Sequence, residues 1–362
     1  MKKIIAKPVE MFELFYDLIF VYAISRITAM IHHPVNGNLN IVAFWEFLLV
    51  VAVVMQIWLY QTVYVNRYSK NSIFDIVCFF INMFAVVYLA NNINTEWRVT
   101  FQYFNISMAI ILLDLIVQYL VNGVKNNKRD AISFVFVLSI EIIIILIGLI
   151  ISYPIGVYFS IVGSILGYGL AIIFYSRFDP REVNFPHLVE RVSLIVIIAF
   201  GEAIVNMTAY FNEKTPLIYP ILLFLSLLFM FTSYQQFSDK LINHHQISRG
   251  FVLMYSHIGM VLSVLLFTVA MIYLKISNIN VNTVAGLFIG AVAIYFGSLY
   301  SNATYLKKTK KFTLKDAALI CIILVIGILL VWFSKESRIL MLLSLLIWNL
   351  LNFGFVEFKI RK

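Results

Sequence analysis

The sequence predicts an all-α fold, a polytopic transmembrane helical bundle of about twelve spans. Of its 362 residues, 62% are hydrophobic and 12% are charged, whereas a soluble domain carries about 25% charged residues. The mean hydropathy is +0.93. The apolar residues fall in runs of about 20, which is the length that a helix needs to cross a bilayer with its backbone hydrogen bonds satisfied.

Each span is placed on one apolar run, and short connections leave no room for a folded domain outside the membrane. The predicted spans are 10–32, 41–64, 72–92, 99–121, 131–152, 154–176, 187–210, 216–238, 251–275, 281–304, 314–334 and 337–357. Only Ser152-Tyr153-Pro154 separates spans five and six. If these two runs formed one helix, the number of spans would be odd and the C-terminus would change sides.

The lysines and arginines predict the orientation. With the N-terminus inside, twenty of the 27 fall in inside segments and five in outside segments, while Arg26 and Arg191 lie in spans. Basic residues favour the cytoplasmic side, so we expect both termini in the cytoplasm. The abundance of Ile, Asn and Lys is typical of an AT-rich bacterial genome, so we expect the chain in a bacterial plasma membrane. The net charge of +9 then faces anionic lipid, so the bilayer is the expected partner and nucleic acid is not.

A shift of 177 residues relates two parts of the chain. It brings Glu13 onto Glu190, and it brings Asn66 and Phe74 onto Asn243 and Phe251. This pattern predicts two six-span repeats, 1–176 and 177–362, within one integrated membrane domain. Because six is an even number, the repeats enter the membrane in the same direction and form a parallel pair.

The predicted spans contain an unusual number of ionisable residues. Glu13 and Asp17 are four positions apart and share one helix face, near the cytoplasmic end of span one. A charge at mid-membrane costs about 2.5–3.5 kcal/mol, so such groups pair or take up a proton. The candidates for a proton or ion relay, or for a structural polar lattice, are Glu13, Asp17, Asp114, Glu190, Arg191 and Glu202.

Two interpretations of these residues remain open. In the structural one, Asp17 or Glu13 pairs with Arg191 and locks the two halves together. In the functional one, Glu202 is the titrating group, because its nearest charged neighbour on the same span, Arg191, is 11 residues and about 16 Å away along the helix.

Five further residues are candidates for substrate contact or for the relay: Tyr16, Trp58, His187, Gln235 and His257. Trp58 and Gln235 correspond under the repeat offset and could form paired walls of one cytoplasmic vestibule. His257 could join a proton relay, or it could be a satisfied packing residue. Without an HExxH spacing, a glycine-rich phosphate loop or a Ser-His-Asp arrangement, the sequence predicts neither a metal nor a cofactor.

Two stretches carry a family resemblance. Glu13-Leu14-Phe15-Tyr16-Asp17-Leu18-Ile19-Phe20-Val21 and Leu188-Val189-Glu190-Arg191, followed by Gly201-Glu202, resemble the two hallmarks of the low temperature requirement protein A (LtrA) family of bacterial membrane proteins. Tyr16 stands where that family usually has Phe, and Val192-Ser193 replaces Phe-Gly. Tyr255-Ser256-His257 is a weaker match that lacks the expected Pro and Gly after it.

The resemblance implies a role in growth at low temperature and no settled biochemical activity. We interpret the chain as a secondary transporter or permease for an unknown small solute or ion, with carboxylates that couple transport to protons. The alternatives are an ion or proton channel and a membrane-embedded enzyme that modifies lipid, and the balance is against an enzyme. The sequence does not specify the oligomeric state.

Overall fold

The computed structural model describes residues 6–213 and 215–362, and in that part of the chain it is built from twelve long helices without a β-strand, so the all-α prediction is confirmed. The helices α1 to α12 are Met11–Ala29, Ile41–Arg67, Ile73–Asn91, Trp97–Gln118, Lys128–Ile151, Ile155–Ile173, Phe185–Met207, Ile218–Gln236, Phe251–Leu274, Val281–Ser301, Leu314–Ser334 and Arg338–Arg361. Lys2, Lys3 and Lys214, which contribute to the predicted charge asymmetry, lie outside the described residues.

Ten of the twelve helices in the described ranges are long and apolar enough to cross a membrane. The two that do not meet this composition are α1 and α7, and each contains three charged residues. These are Glu13, Asp17 and Arg26 in α1 and Glu190, Arg191 and Glu202 in α7. The two helices that carry the family hallmarks are therefore the two that fall outside the span-capable set.

The break between spans five and six is present as predicted. Helix α5 ends at Ile151 and α6 begins at Ile155. Ser152 adopts a positive φ of 66°, a left-handed conformation that an α-helix does not contain. The chain therefore turns between two separate helices.

Side-chain caps fix where several helices begin. Ser72 accepts a hydrogen bond from the Asp75 backbone amide and Asp75 reciprocates at the start of α3. Thr313 and Asp316 form the same capping box at the start of α11. Each box satisfies amides that the first helical turn leaves without a partner.

The chain forms two compact units. Unit 1 comprises the described residues up to Met30, with Val42–Leu194 and Ile247–Gly250. In it α3 packs on α1 and α4, and α5 packs on α4 and α6. Unit 2 comprises Ile31–Ile41, Ile195–Gln246 and Phe251–Lys362, and in it α9 packs on α10 while α12 packs on α8 and α11. The division falls inside α7, and the predicted repeat remains a prediction.

Helix α2 is the most enclosed helix of unit 1. Every residue from 53 to 66 is buried, so no face of this segment is left for lipid. Its buried side chains include the amides of Gln56, Gln61 and Asn66. Because a buried amide must find hydrogen-bond partners, the amides of α2 form hydrogen bonds with polar residues of other helices.

Candidate functional site

A buried ion pair joins α1 to the start of α7. Arg191, which is fully buried, donates to both carboxylate oxygens of Asp17 at 2.8 Å, and its Nη1 also donates to the backbone oxygen of Glu13 at 2.9 Å. This is the fork geometry that arginine prefers with a carboxylate. Asp17 and Arg191 both belong to unit 1, so the pair lies within one compact unit.

Glu13 lies beside this pair and contacts His187. His187 Nε2 is 3.0 Å from Glu13 Oε2. Asn66 accepts a bond from the Asn184 backbone amide through Oδ1, so its NH₂ group faces His187 Nδ1 at 2.9 Å. Nδ1 therefore accepts, and Nε2 carries the hydrogen that is donated to Glu13.

Two further groups complete this ion-pair cluster. Trp58 of α2 donates its indole N–H to Asp17 at 2.8 Å, and its ring lies 5.8 Å from the Arg191 guanidinium carbon. Lys7, before α1, places Nζ 3.9 Å from Glu13 Oε1, and burial lowers the pKa of its amine. The carboxylates of Glu13 and Asp17 thus lie against Lys7 and Arg191, and His187 contacts Glu13.

The i and i+4 spacing explains why this cluster forms. Glu13 and Asp17 lie one turn apart on α1, and His187 and Arg191 lie one turn apart on α7. Residues at this spacing share a helix face, so two helices that meet along these faces bring all four side chains together.

A second set of buried polar groups surrounds Asp114 of α4. The Tyr16 hydroxyl donates to Asn82 Oδ1 at 2.9 Å, and Asn82 Nδ2 donates to Asp114 Oδ2 at 3.1 Å. From the other side, Gln61 donates to Gln118 at 2.9 Å, and Gln118 donates to Asp114 at 2.6 Å. Both arms point their donors at one carboxylate, and we call these five residues the Asp114 chain.

Asp114 differs from Asp17 in having only uncharged partners. Asn82 and Gln118 donate to it, and Cys78 also lies within hydrogen-bond contact. Among the described residues no lysine, arginine or histidine forms an ion pair with it. The partners of this carboxyl group are therefore oriented dipoles rather than a cation.

Glu141 of α5 is a further acid with an uncharged partner. Gln56 Nε2 donates to Glu141 Oε2 at 2.9 Å, and both side chains are fully buried. Within the described ranges, Oε1 of each residue has no hydrogen-bond donor. Gly167 of α6 lies against both side chains, so the absence of a Cβ there makes room for the pair.

The other predicted residues differ in their burial and in their hydrogen-bond partners. Glu190 and Gln235 are exposed. Glu202 is buried and accepts a hydrogen bond from Asn206 at 2.8 Å. His257 donates from Nδ1 to the Leu253 carbonyl at 2.6 Å and faces the Tyr234 hydroxyl at 3.1 Å, the geometry of a satisfied packing histidine. The roles predicted for Glu202 and His257 remain predictions.

Several participants were missed by the sequence analysis because they are neutral. Gln56, Gln61, Asn66, Asn82 and Gln118 each hold a carboxylate, a histidine or another amide in place. Glu141 was not among the predicted site residues. The available signal was an amide inside an otherwise apolar run, because such a group has to find a partner.

The bundle of span-capable helices, with charged residues buried between them, defines a multi-pass membrane protein. The model of the family described as bacterial low temperature requirement A protein (LtrA) matches residues 8–350, and the chain therefore belongs to the LtrA family. Neither the comparison with curated proteins nor the comparison with solved structures finds a match.

Proposed function

We propose that this LtrA protein is a secondary transporter that couples movement of a small solute or ion to protons, with Asp114 as a proton-exchanging group. The observation that carries the proposal is the Asp114 chain, in which a buried carboxylate is held by converging uncharged donors. A charged group within a membrane is costly unless it is compensated. Taking up a proton or a cation therefore offers Asp114 a second stable state.

The ion-pair cluster serves a different purpose in this proposal. Asp17 is neutralised by two short bonds from Arg191, and removing one member of such a pair leaves an uncompensated buried charge. A group that is held in this way is suited to scaffolding, so Glu13, Asp17, His187 and Arg191 fix α7 against α1. Glu202 remains a second candidate for proton exchange, in unit 2.

Orientation and repeat belong to the same proposal. The excess of lysine and arginine in alternate connections supports cytoplasmic termini in a bacterial plasma membrane. The offset of 177 residues supports two parallel six-span halves, a layout that secondary transporters use.

The test is proton flux in proteoliposomes that hold the purified full chain, monitored with an internal pH dye. Inorganic cations, amino acids, polyamines, sugars and nucleosides are added one class at a time under an imposed pH gradient. We expect one class to move protons saturably, and Asp114→Asn to reduce that movement by about tenfold or more, since a lost proton-transfer group commonly costs at least that much.

A variant outside the Asp114 chain serves as the control. Glu190→Gln alters an exposed acid of α7 and should change nothing. Folded protein that moves no protons with any class contradicts the proposal and favours a scaffold or lipid enzyme, and an uncoupled current favours a channel.

A further inference from the structure

Unit 1 contains a cavity of about 460 Å³ between α2, α4, α5 and α6. This volume lies within the range of small-molecule sites. The lining includes residues from the beginning of α2 and α4 and from the turn between α5 and α6, so the cavity opens at the end of the unit where these segments meet. It extends inward as far as Val53 of α2 and Ser164 of α6.

Aromatic rings and one carboxylate line the outer part of the cavity. Trp45, Trp97, Tyr153 and Tyr158 contribute rings, and Glu46 contributes the carboxylate. Glu46 is in hydrogen-bond contact with Trp97. Aromatic faces attract cations, and tryptophan does so most strongly. No lysine or arginine is among the described residues that line the cavity, so the side chains that line it supply no lysine or arginine charge for an anion.

A second carboxylate lies beneath the floor. Val53 and Ile145 are lining residues, and Gln56 and Glu141 follow them inward by three and four positions on the same helices. That spacing is about one helical turn, or about 5 Å. The Gln56–Glu141 pair brings two acceptor oxygens to this depth, Oε1 of each, for which the described residues supply no donor.

We propose that this cavity binds a lipophilic organic cation, a substituted ammonium or phosphonium group that carries aromatic or alkyl arms. The arms pack against the rings, Glu46 attracts the cation at the mouth, and Glu141 balances its charge from below the floor. That this cation is the transported substrate rests on the proposed transport function. That the cavity binds the cation does not depend on that function.

The test is equilibrium dialysis of radiolabelled tetraphenylphosphonium against the purified full-length protein in detergent. We expect saturable binding that neutral triphenylphosphine oxide does not displace. Glu141→Gln and Glu46→Gln should each weaken binding by about tenfold, which corresponds to about 1.4 kcal/mol. Val157→Trp, which fills the cavity without altering its charge, should also reduce binding.

Glu190→Gln is the matched control, because it removes an exposed carboxylate from the same unit. Thermal unfolding of each variant shows whether weaker binding results only from a loss of folded protein. Glu46 is half-buried at the mouth of the cavity, so Glu46→Gln is the variant expected to disturb folding least. Binding that is absent, that the neutral probe displaces equally, or that both glutamine variants retain would overturn the proposal.

The two proposals fail independently. Proton-coupled flux of another solute class without phosphonium binding refutes the cation site alone. Phosphonium binding that depends on Glu46 and Glu141, in a protein without proton-coupled flux, refutes the transport function alone.

Discussion

At the scale of single residues, this protein keeps its buried acids in two different environments. Asp17 faces a guanidinium, and Asp114 faces the amides of Asn82 and Gln118. Asp17 therefore has a permanent partner charge, whereas Asp114 is held by neutral dipoles. By hydropathy, Asp17 and Asp114 are both acids within apolar helices. Only their hydrogen-bond partners distinguish the two.

Arg191→Met is expected to destabilise the protein by about 3–5 kcal/mol, because it leaves the carboxylates of Glu13 and Asp17 buried without the guanidinium. The combined variant Arg191→Met with Asp17→Leu should recover much of that loss, since no carboxylate remains at position 17. Thermal unfolding in detergent measures both effects, and Glu190→Gln on the neighbouring exposed position is the control. Equal losses in the single and combined variants would contradict this account.

At the scale of helices, close approach depends on small residues. Helix α6 carries Gly156, Gly163, Ser164 and Gly167, which are all buried. A Cβ at Gly156 would meet the backbone oxygen of Gly148 on α5. Small residues at this kind of spacing allow two transmembrane backbones to come together, and this contact positions α6 along the wall of the cavity.

Gly156→Ala is therefore expected to force α5 and α6 apart and to destabilise the protein by about 1–3 kcal/mol, as overpacking of a tight contact commonly does. Gly169→Ala on the same helix is the matched control, because a Cβ there meets nothing within 4 Å and alanine favours the helix. Thermal unfolding compares the two variants. If Gly156→Ala unfolds at the same temperature as Gly169→Ala, the close contact does not hold these helices together.

The helices themselves could largely be predicted from the sequence. Helix α9 was expected at 251–275 and occupies Phe251–Leu274, and α2 was expected at 41–64 and continues to Arg67. Length and apolarity determine these elements. The ion pair between Asp17 and Arg191 could also be predicted from the sequence, because both residues were expected near the same end of their spans.

The Asp114 chain could not be predicted in the same way. Which amide meets which acid depends on the rotation of four helices about their axes, and apolar spans with weak amphipathicity leave that rotation open. The boundary between the two compact units could not be predicted either. It falls within α7 after Leu194, where neither a proline nor a polar run marks it.

At the scale of the whole molecule, the even number of long helices in the described residues places the two ends of the helical bundle on one side of a membrane if every long helix crosses it. Helices α1 and α7 decide this question, since they are the two long helices outside the span-capable set. The buried ion pair between Asp17 and Arg191 removes much of the cost of placing these two charges among apolar helices.

Reporter fusions test this arrangement. Alkaline phosphatase fused after Asn278, between α9 and α10, should be active outside the membrane, and a fusion after Lys308, between α10 and α11, should be inactive. Green fluorescent protein at the C-terminus should fluoresce in the cytoplasm. An active phosphatase after Lys308 would reverse the orientation, and equal activity at both positions would show that α10 does not cross.

The enclosure of α2 also affects how the protein is made. Its amides form hydrogen bonds with residues that the ribosome adds later: Gln118, Glu141, Asn184 and His187. When α2 first leaves the translocon, Gln56, Gln61 and Asn66 have none of these partners, and lipid supplies none. The final packing of α2 must therefore wait until α7 has entered the membrane, so unit 1 matures late in synthesis although its first helices are made early.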